Sequence, residues 1–138
     1  MGQISGGAYS MGGIDILLVE DDAGLRESLG QLIELERAIP RLAGNGKEAL
    51  EHLQASQKKP DLILLDWLMP VMNGADFLQA RLKNSVLQAI PVVVMTGDSR
   101  EVTPELFQQM KISGHLRKPF TATELKSVIW KVLSQPVV

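Results

Sequence analysis

From Ile14 onward the chain alternates short apolar runs with stretches whose apolar residues recur every three or four positions. The run IDILLV over residues 14–19 predicts a buried strand and stops at the acids Glu20, Asp21 and Asp22. Leu25, Leu29, Leu32 and Ile33 then fall at helical spacing, with those acids at the helix start, where the macrodipole favours negative charge. A weaker strand is predicted near Ile39–Ala43, followed by a helix over residues 46–57 with Asn45 as its N-cap and Glu48 three positions on. DLILL, residues 61–65, is the sharpest strand, apolar at every position after its first. Beyond it come a helix over residues 73–84 with Phe77, Leu78 and Leu82 inward, and the β-branched strand IPVVVM over 90–95. A further helix starts at Thr103-Pro104-Glu105, with proline at its first turn, and GHLR (114–117) makes a short strand. Thr121 and Glu124 form a capping box for the last helix, whose apolar face is Leu125, Val128, Ile129, Val132 and Leu133.

Five strands and five helices thus alternate. Central strands without polar residues imply a parallel sheet covered on both faces, a doubly wound α/β domain over residues 14–135. In such a domain function belongs at the carboxyl ends of the strands. The first 13 residues, MGQISGGAYSMGG, lack periodicity and read as a disordered leader or cloning scar rather than a signal peptide.

Composition narrows the function. A chain of 138 residues is one domain, and it holds no run of some 18 apolar residues that would cross a membrane. With no cysteine there are no disulfides or thiolate metal sites, a composition suited to a cytoplasmic location. A net charge of −2 without a basic block gives no sign of direct nucleic-acid binding.

The strand ends carry the chemistry. The first ends in Glu20-Asp21, the third in Asp66, the fourth in Thr96-Gly97 and the fifth in Lys118-Pro119. One sheet would bring together three carboxylates, a hydroxyl, a backbone amide at Gly97 and an ammonium. Clustered carboxylates repel and invite a hard cation, and oxygen ligands without His or Cys point to Mg²⁺. Asp66 in this setting is a candidate nucleophile that becomes an aspartyl phosphate. Alone, Asp66 reads equally well as a strand-end residue capping the turn before Pro70; the accompanying acids and lysine favour the chemical reading.

The segments ILLVEDD, LILLDWLMPVMNG, VVVMTGD and HLRKPF resemble, in order and spacing, the four signature segments of bacterial response-regulator receiver domains, related to chemotaxis regulators. The resemblance runs from about Asp15 to Leu133. It implies a flavodoxin-like sheet of strand order 2-1-3-4-5. It implies that Asp66 accepts a phosphoryl group from the phosphohistidine of a sensor histidine kinase or a phosphotransfer protein. Asp21, Asp66 and the Leu68 backbone carbonyl would hold Mg²⁺, with Glu20 acting through water. Thr96, Gly97 and Lys118 would bind the phosphoryl group, and Pro119 would follow a cis peptide bond. The domain would catalyse only its own phosphorylation and dephosphorylation. The change would be read out on the face formed by the helix at Pro104, the strand at 114–117 and the last helix, by a downstream protein or an output domain.

Departures from the family pattern are informative. His115 stands where the family commonly has Tyr or Phe, an aromatic that swings inward as the phosphoryl group draws in Thr96. It reads either as a switch whose rotamer depends on pH or as an exposed edge-strand histidine. Leu68 can shield a phosphoryl group but cannot orient water, which implies slow dephosphorylation. Trp130 lies off the apolar stripe of the last helix and is a candidate partner contact, or a flank residue packing on its own helix. Charge pairs that would make a strong symmetric dimer on this face are not evident, so a monomer or weak dimer is expected. Two other classes stay open. A pseudo-receiver would bind partners without phosphorylation, and a haloacid-dehalogenase-like phosphatase would need a second Asp where Leu68 stands.

Overall fold

A computed structural model describes residues 4–5, 8–9, 11–69 and 71–134. Its central sheet has five parallel strands: β1 (Asp15–Val19), β2 (Ile39–Ala43), β3 (Leu62–Asp66), β4 (Val92–Thr96) and β5 (Gly114–Arg117). Their spatial order is β2-β1-β3-β4-β5, the flavodoxin-like order. All residues of β1, β3 and β4 are buried, which is why their sequences carry no polar alternation.

One apolar layer packs Leu17, Val19, Ile63, Leu65, Val92 and Val94 against Ala49, Leu53, Phe77 and Leu78. The opposite layer packs Ile16, Leu18, Leu62, Leu64, Val93 and Met95 against Leu29, Ile33, Leu125 and Ile129. The period-2 alternation of each strand therefore feeds two cores, one per face.

Six helices are formed among the described residues, one more than expected: α1 (Ala23–Leu35), α2 (Gly46–Ala55), α3 (Gly74–Leu82), α4 (Ser85–Gln88), α5 (Pro104–Met110) and α6 (Ala122–Leu133). The single helix expected over 73–84 stops at Leu82 because Asn84 starts a new turn, its side chain accepting from the Val86 and Leu87 amides at 2.9 and 3.1 Å. The inward residue near the end of α3 is Arg81, 1% exposed, while Leu82 is half-buried. The expected caps are present: Asn45 accepts from the Glu48 amide, Thr103 from the Leu106 amide, and Thr121 and Glu124 close a reciprocal box.

Residues 4–5 and 8–9 pair as a short antiparallel ribbon, and Met11, which the sequence pattern left outside the fold, is 2% exposed against the second core. Its apolar side chain fills space beside Ile14 and Ile16. Of the leader expected over 1–13, residues 1–3, 6–7 and 10 lie outside the described residues, as does the expected domain end at residue 135.

Candidate functional site

Ladder hydrogen bonds continue one residue past the strands and fix the site's backbone. The Glu20 amide donates to Ala43 O (3.0 Å), the Trp67 amide to Met95 O (2.9 Å) and the Lys118 amide to Thr96 O (2.7 Å). Side chains at the carboxyl edge are thereby held on rigid elements. Asp66 is 5% exposed, Glu20 and Thr96 are buried and Asp21 is exposed.

Carboxylate oxygens of Glu20, Asp21 and Asp66 all lie within 4.8 Å of one another. Lys118 Nζ crosses the gap, donating to Glu20 Oε1 at 2.7 Å and to Asp66 Oδ1 at 3.2 Å. Burial, then the hydrogen bond and charge of Glu20, push Asp66 up to about 7, against the opposing pull of Lys118. Burial alone would lower Lys118, but its bond to Glu20 and the charges of Asp66 and Glu20 raise it overall. An acid raised by burial and by Glu20 would be relieved by a bound cation, and the donor set is all oxygen. Both features fit a hard divalent cation.

The Asp22 carboxylate stands outside the cluster, although its amide donates to Glu20 Oε2 at 3.2 Å. It caps α1, accepting from the Leu25 amide at 3.0 Å. Arg26, which the sequence pattern did not single out, donates to Glu20 O at 2.8 Å and so clamps the acidic loop onto α1.

Thr96 Oγ1 lies within 2.9 Å of Glu101 Oε1 and 3.0 Å of Asp98 O, and accepts from the Asp98 amide at 3.1 Å. Gly97 is exposed, and a Cβ there would meet nothing within 4 Å. Packing therefore does not demand glycine at 97. Gly74 is different: a Cβ would come within 3.0 Å of Trp67 Cα and O, so glycine lets α3 close on the Asp66 loop. Lys118–Pro119 is a cis peptide.

Leu68 is 64% exposed beside the pocket. Leu25, Leu29, Lys118, Pro119 and Phe120 line a neighbouring, mainly apolar cavity of about 400 Å³. His115 is exposed, its ring edge-on to Phe107 at a centroid distance of 5.6 Å, and Trp130 is half-buried.

A parallel sheet of this order, with acids and a lysine meeting at its carboxyl edge, defines a class of signalling domain, and comparison with known proteins agrees. The family model of the response regulator receiver domain matches residues 16–130, and the chain belongs to that family. It is 37% identical over 118 residues to a CpxR homolog of Haemophilus influenzae, a transcriptional regulatory protein, covering 86% of this chain and 49% of that one. It is 34% identical over 125 residues to response regulator Rre1 of Synechocystis, covering 88% of this chain and 52% of the other. The chain thus spans about half the length of the curated relatives it matches.

Among solved structures, the chemotaxis response regulator CheY4 of Vibrio cholerae superposes with a TM-score of 0.78 at 25% identity, covering 87% of this chain and 98% of that chain. The receiver domain of a Pseudomonas aeruginosa sensor histidine kinase, described with magnesium coordinated in its active site cleft, shares the fold. Its TM-score is 0.79 at 22% identity, with 89% and 99% of the two chains covered. Response regulators receive phosphoryl groups from histidine kinases, and this chain is a signalling receiver domain. Among its described residues no helix is long and apolar enough to cross a membrane.

Proposed function

We propose that this chain is a phosphorylation-controlled switch whose phosphoacceptor is Asp66. The observation that carries the reading is the Lys118 ammonium shared between Glu20 and Asp66 at the edge of the sheet, within a cluster of three carboxylates. An Asp66 carboxylate oxygen forms the new bond to phosphorus. The phosphorus–nitrogen bond to a kinase or phosphotransfer histidine breaks, its electron pair leaving on the imidazole nitrogen.

The chain's own groups prepare that step. Lys118 holds Asp66 in place and offsets negative charge on the incoming oxygens, while Glu20 anchors Lys118. The Thr96 hydroxyl and Gly97 amide are the donors that would meet the transferred group. Asp21, Asp66 and the Leu68 carbonyl would hold Mg²⁺, with Glu20 acting through water. The ion, when bound, neutralises the acids and the phosphoryl oxygens so that anion can approach anion. The cavity at Leu25, Leu29, Pro119 and Phe120 opens beside Lys118.

Drawing Thr96 toward a phosphoryl group would shift the segment Gly97–Val102 and with it the face of α5, β5 and α6. His115 and Trp130 lie on the elements of that face, where a downstream protein or an output domain would bind.

The test is incubation with Mg²⁺ and a small acyl phosphate or a phosphorylated kinase, read by intact-protein mass. A single phosphoryl gain that disappears in Asp66→Asn supports the reading. A gain that survives in Asp66→Asn, or no gain from either donor, overturns it.

A further inference from the structure

We infer that Glu101 is a positioning residue that holds the Thr96 hydroxyl in its resting orientation, and so sets the threshold for switching. This rests on the role proposed for Thr96. A threonine hydroxyl has one proton to give. In the resting structure it has two acceptors within reach, Glu101 Oε1 at 2.9 Å and Asp98 O at 3.0 Å, and neither belongs to the acidic cluster. Of the two, the carboxylate is the stronger acceptor because hydrogen bonds to charged groups are stronger.

The loop presents that carboxylate by construction. Thr96 Oγ1 accepts from the Asp98 amide at 3.1 Å, and the Glu101 amide donates to Asp98 O at 3.1 Å, closing the 3₁₀ turn Ser99–Glu101. Arg100 grips the Asp98 carboxylate through its backbone amide at 2.9 Å and its guanidinium at 2.8 Å. Val102, buried in the core, anchors the far side of the turn. Glu101 is left half-buried over Thr96, itself buried. For Thr96 to donate to a phosphoryl group on Asp66 it must first release Glu101. The carboxylate is therefore a competitor of the phosphoryl oxygens for the same proton.

The test measures binding of beryllofluoride with Mg²⁺ by Trp67 fluorescence in a Trp130→Phe background, for the otherwise unchanged chain and for Glu101→Ala and Glu101→Gln. Glu101→Ala is expected to tighten apparent binding by about three- to tenfold, the scale of one hydrogen bond to a charged group partly replaced by Asp98 O. Glu101→Gln, which keeps an acceptor but loses the charge, falls between. In a Thr96→Val background the gain vanishes, an outcome that a merely structural role for Glu101 would not produce.

No tightening in either variant, or the same tightening without the Thr96 hydroxyl, overturns the inference. If Thr96→Val alone leaves beryllofluoride binding unchanged, the role of Thr96 itself fails and the inference falls with it.

Discussion

At Asp66 an acid sits where burial and Glu20 raise it to about 7 from the ordinary 3.8. A folded-state value above the unfolded one contributes stability that is complete below about pH 4 and is lost as pH rises through about 7. In metal-free protein, Asp66→Asn should therefore raise stability at pH 8 by about 1–3 kcal/mol. At about pH 3, below the ordinary carboxylate value, the wild-type carboxyl is mostly protonated folded or unfolded, and the gain should nearly vanish. Urea denaturation at the two pH values decides; an equal effect at both would count against the raised acid. Leu68 supports a second expectation, because its exposed side chain offers no hydrogen bond to water. Leu68→Asn should shorten the lifetime of the phosphorylated form severalfold, measured by loss of the phosphoryl mass over time. A longer lifetime would show that Leu68 does not slow hydrolysis.

The helices differ in how firmly they are held. α6 buries Leu125, Ile129 and Val132 and carries a complete capping box, whereas α5 buries no residue and runs for seven. Amide exchange should therefore be faster along α5 than along α6; protection in the reverse order would contradict this. What steadies the α5 carboxyl end is Arg81 of α3. Its guanidinium donates to Met110 O (3.1 Å), Gln88 O (3.0 Å) and Ile90 O (2.8 Å), and burial lowers it to about 10, so it stays charged at neutral pH. Arg81→Met should cost about 2–4 kcal/mol by orphaning those carbonyls, read from the unfolding midpoint, with α5 loosened most. A near-neutral change would mean water takes over the carbonyls. Neither Arg81 nor the α3–α4 break was legible in sequence. An arginine within an amphipathic helix reads as its wet face, and Asn84 continues a helical period while its side chain competes for the backbone of the next turn. Strand ends were legible for the opposite reason: an apolar run that stops at Glu20, Asp66 or Thr96 marks the carboxyl edge of the sheet.

On the scale of the whole molecule, one sheet divides two cores and leaves the acids on a single edge. An ion that relieves them binds the folded chain alone. Mg²⁺ at ten times its dissociation constant should thus add about 1.4 kcal/mol to stability. Asp21→Asn should lose most of that response, and an undiminished response would place the ion elsewhere. Glu101 stayed hidden at this scale too: it sits in a polar loop, and only the short turn after β4 folds it back over Thr96. The bond from Lys118 to Glu20 joins groups 98 residues apart. A ribosome delivers them in that order, so the nascent domain carries its acids without the lysine that pairs them until β5 has been made. Until β5 emerges, β1 and β3 can pair but their charged ends cannot be reconciled. Completion of the domain is thereby tied to arrival of its last strand, and a chain stalled before Lys118 should be caught by proteases as an unfinished sheet.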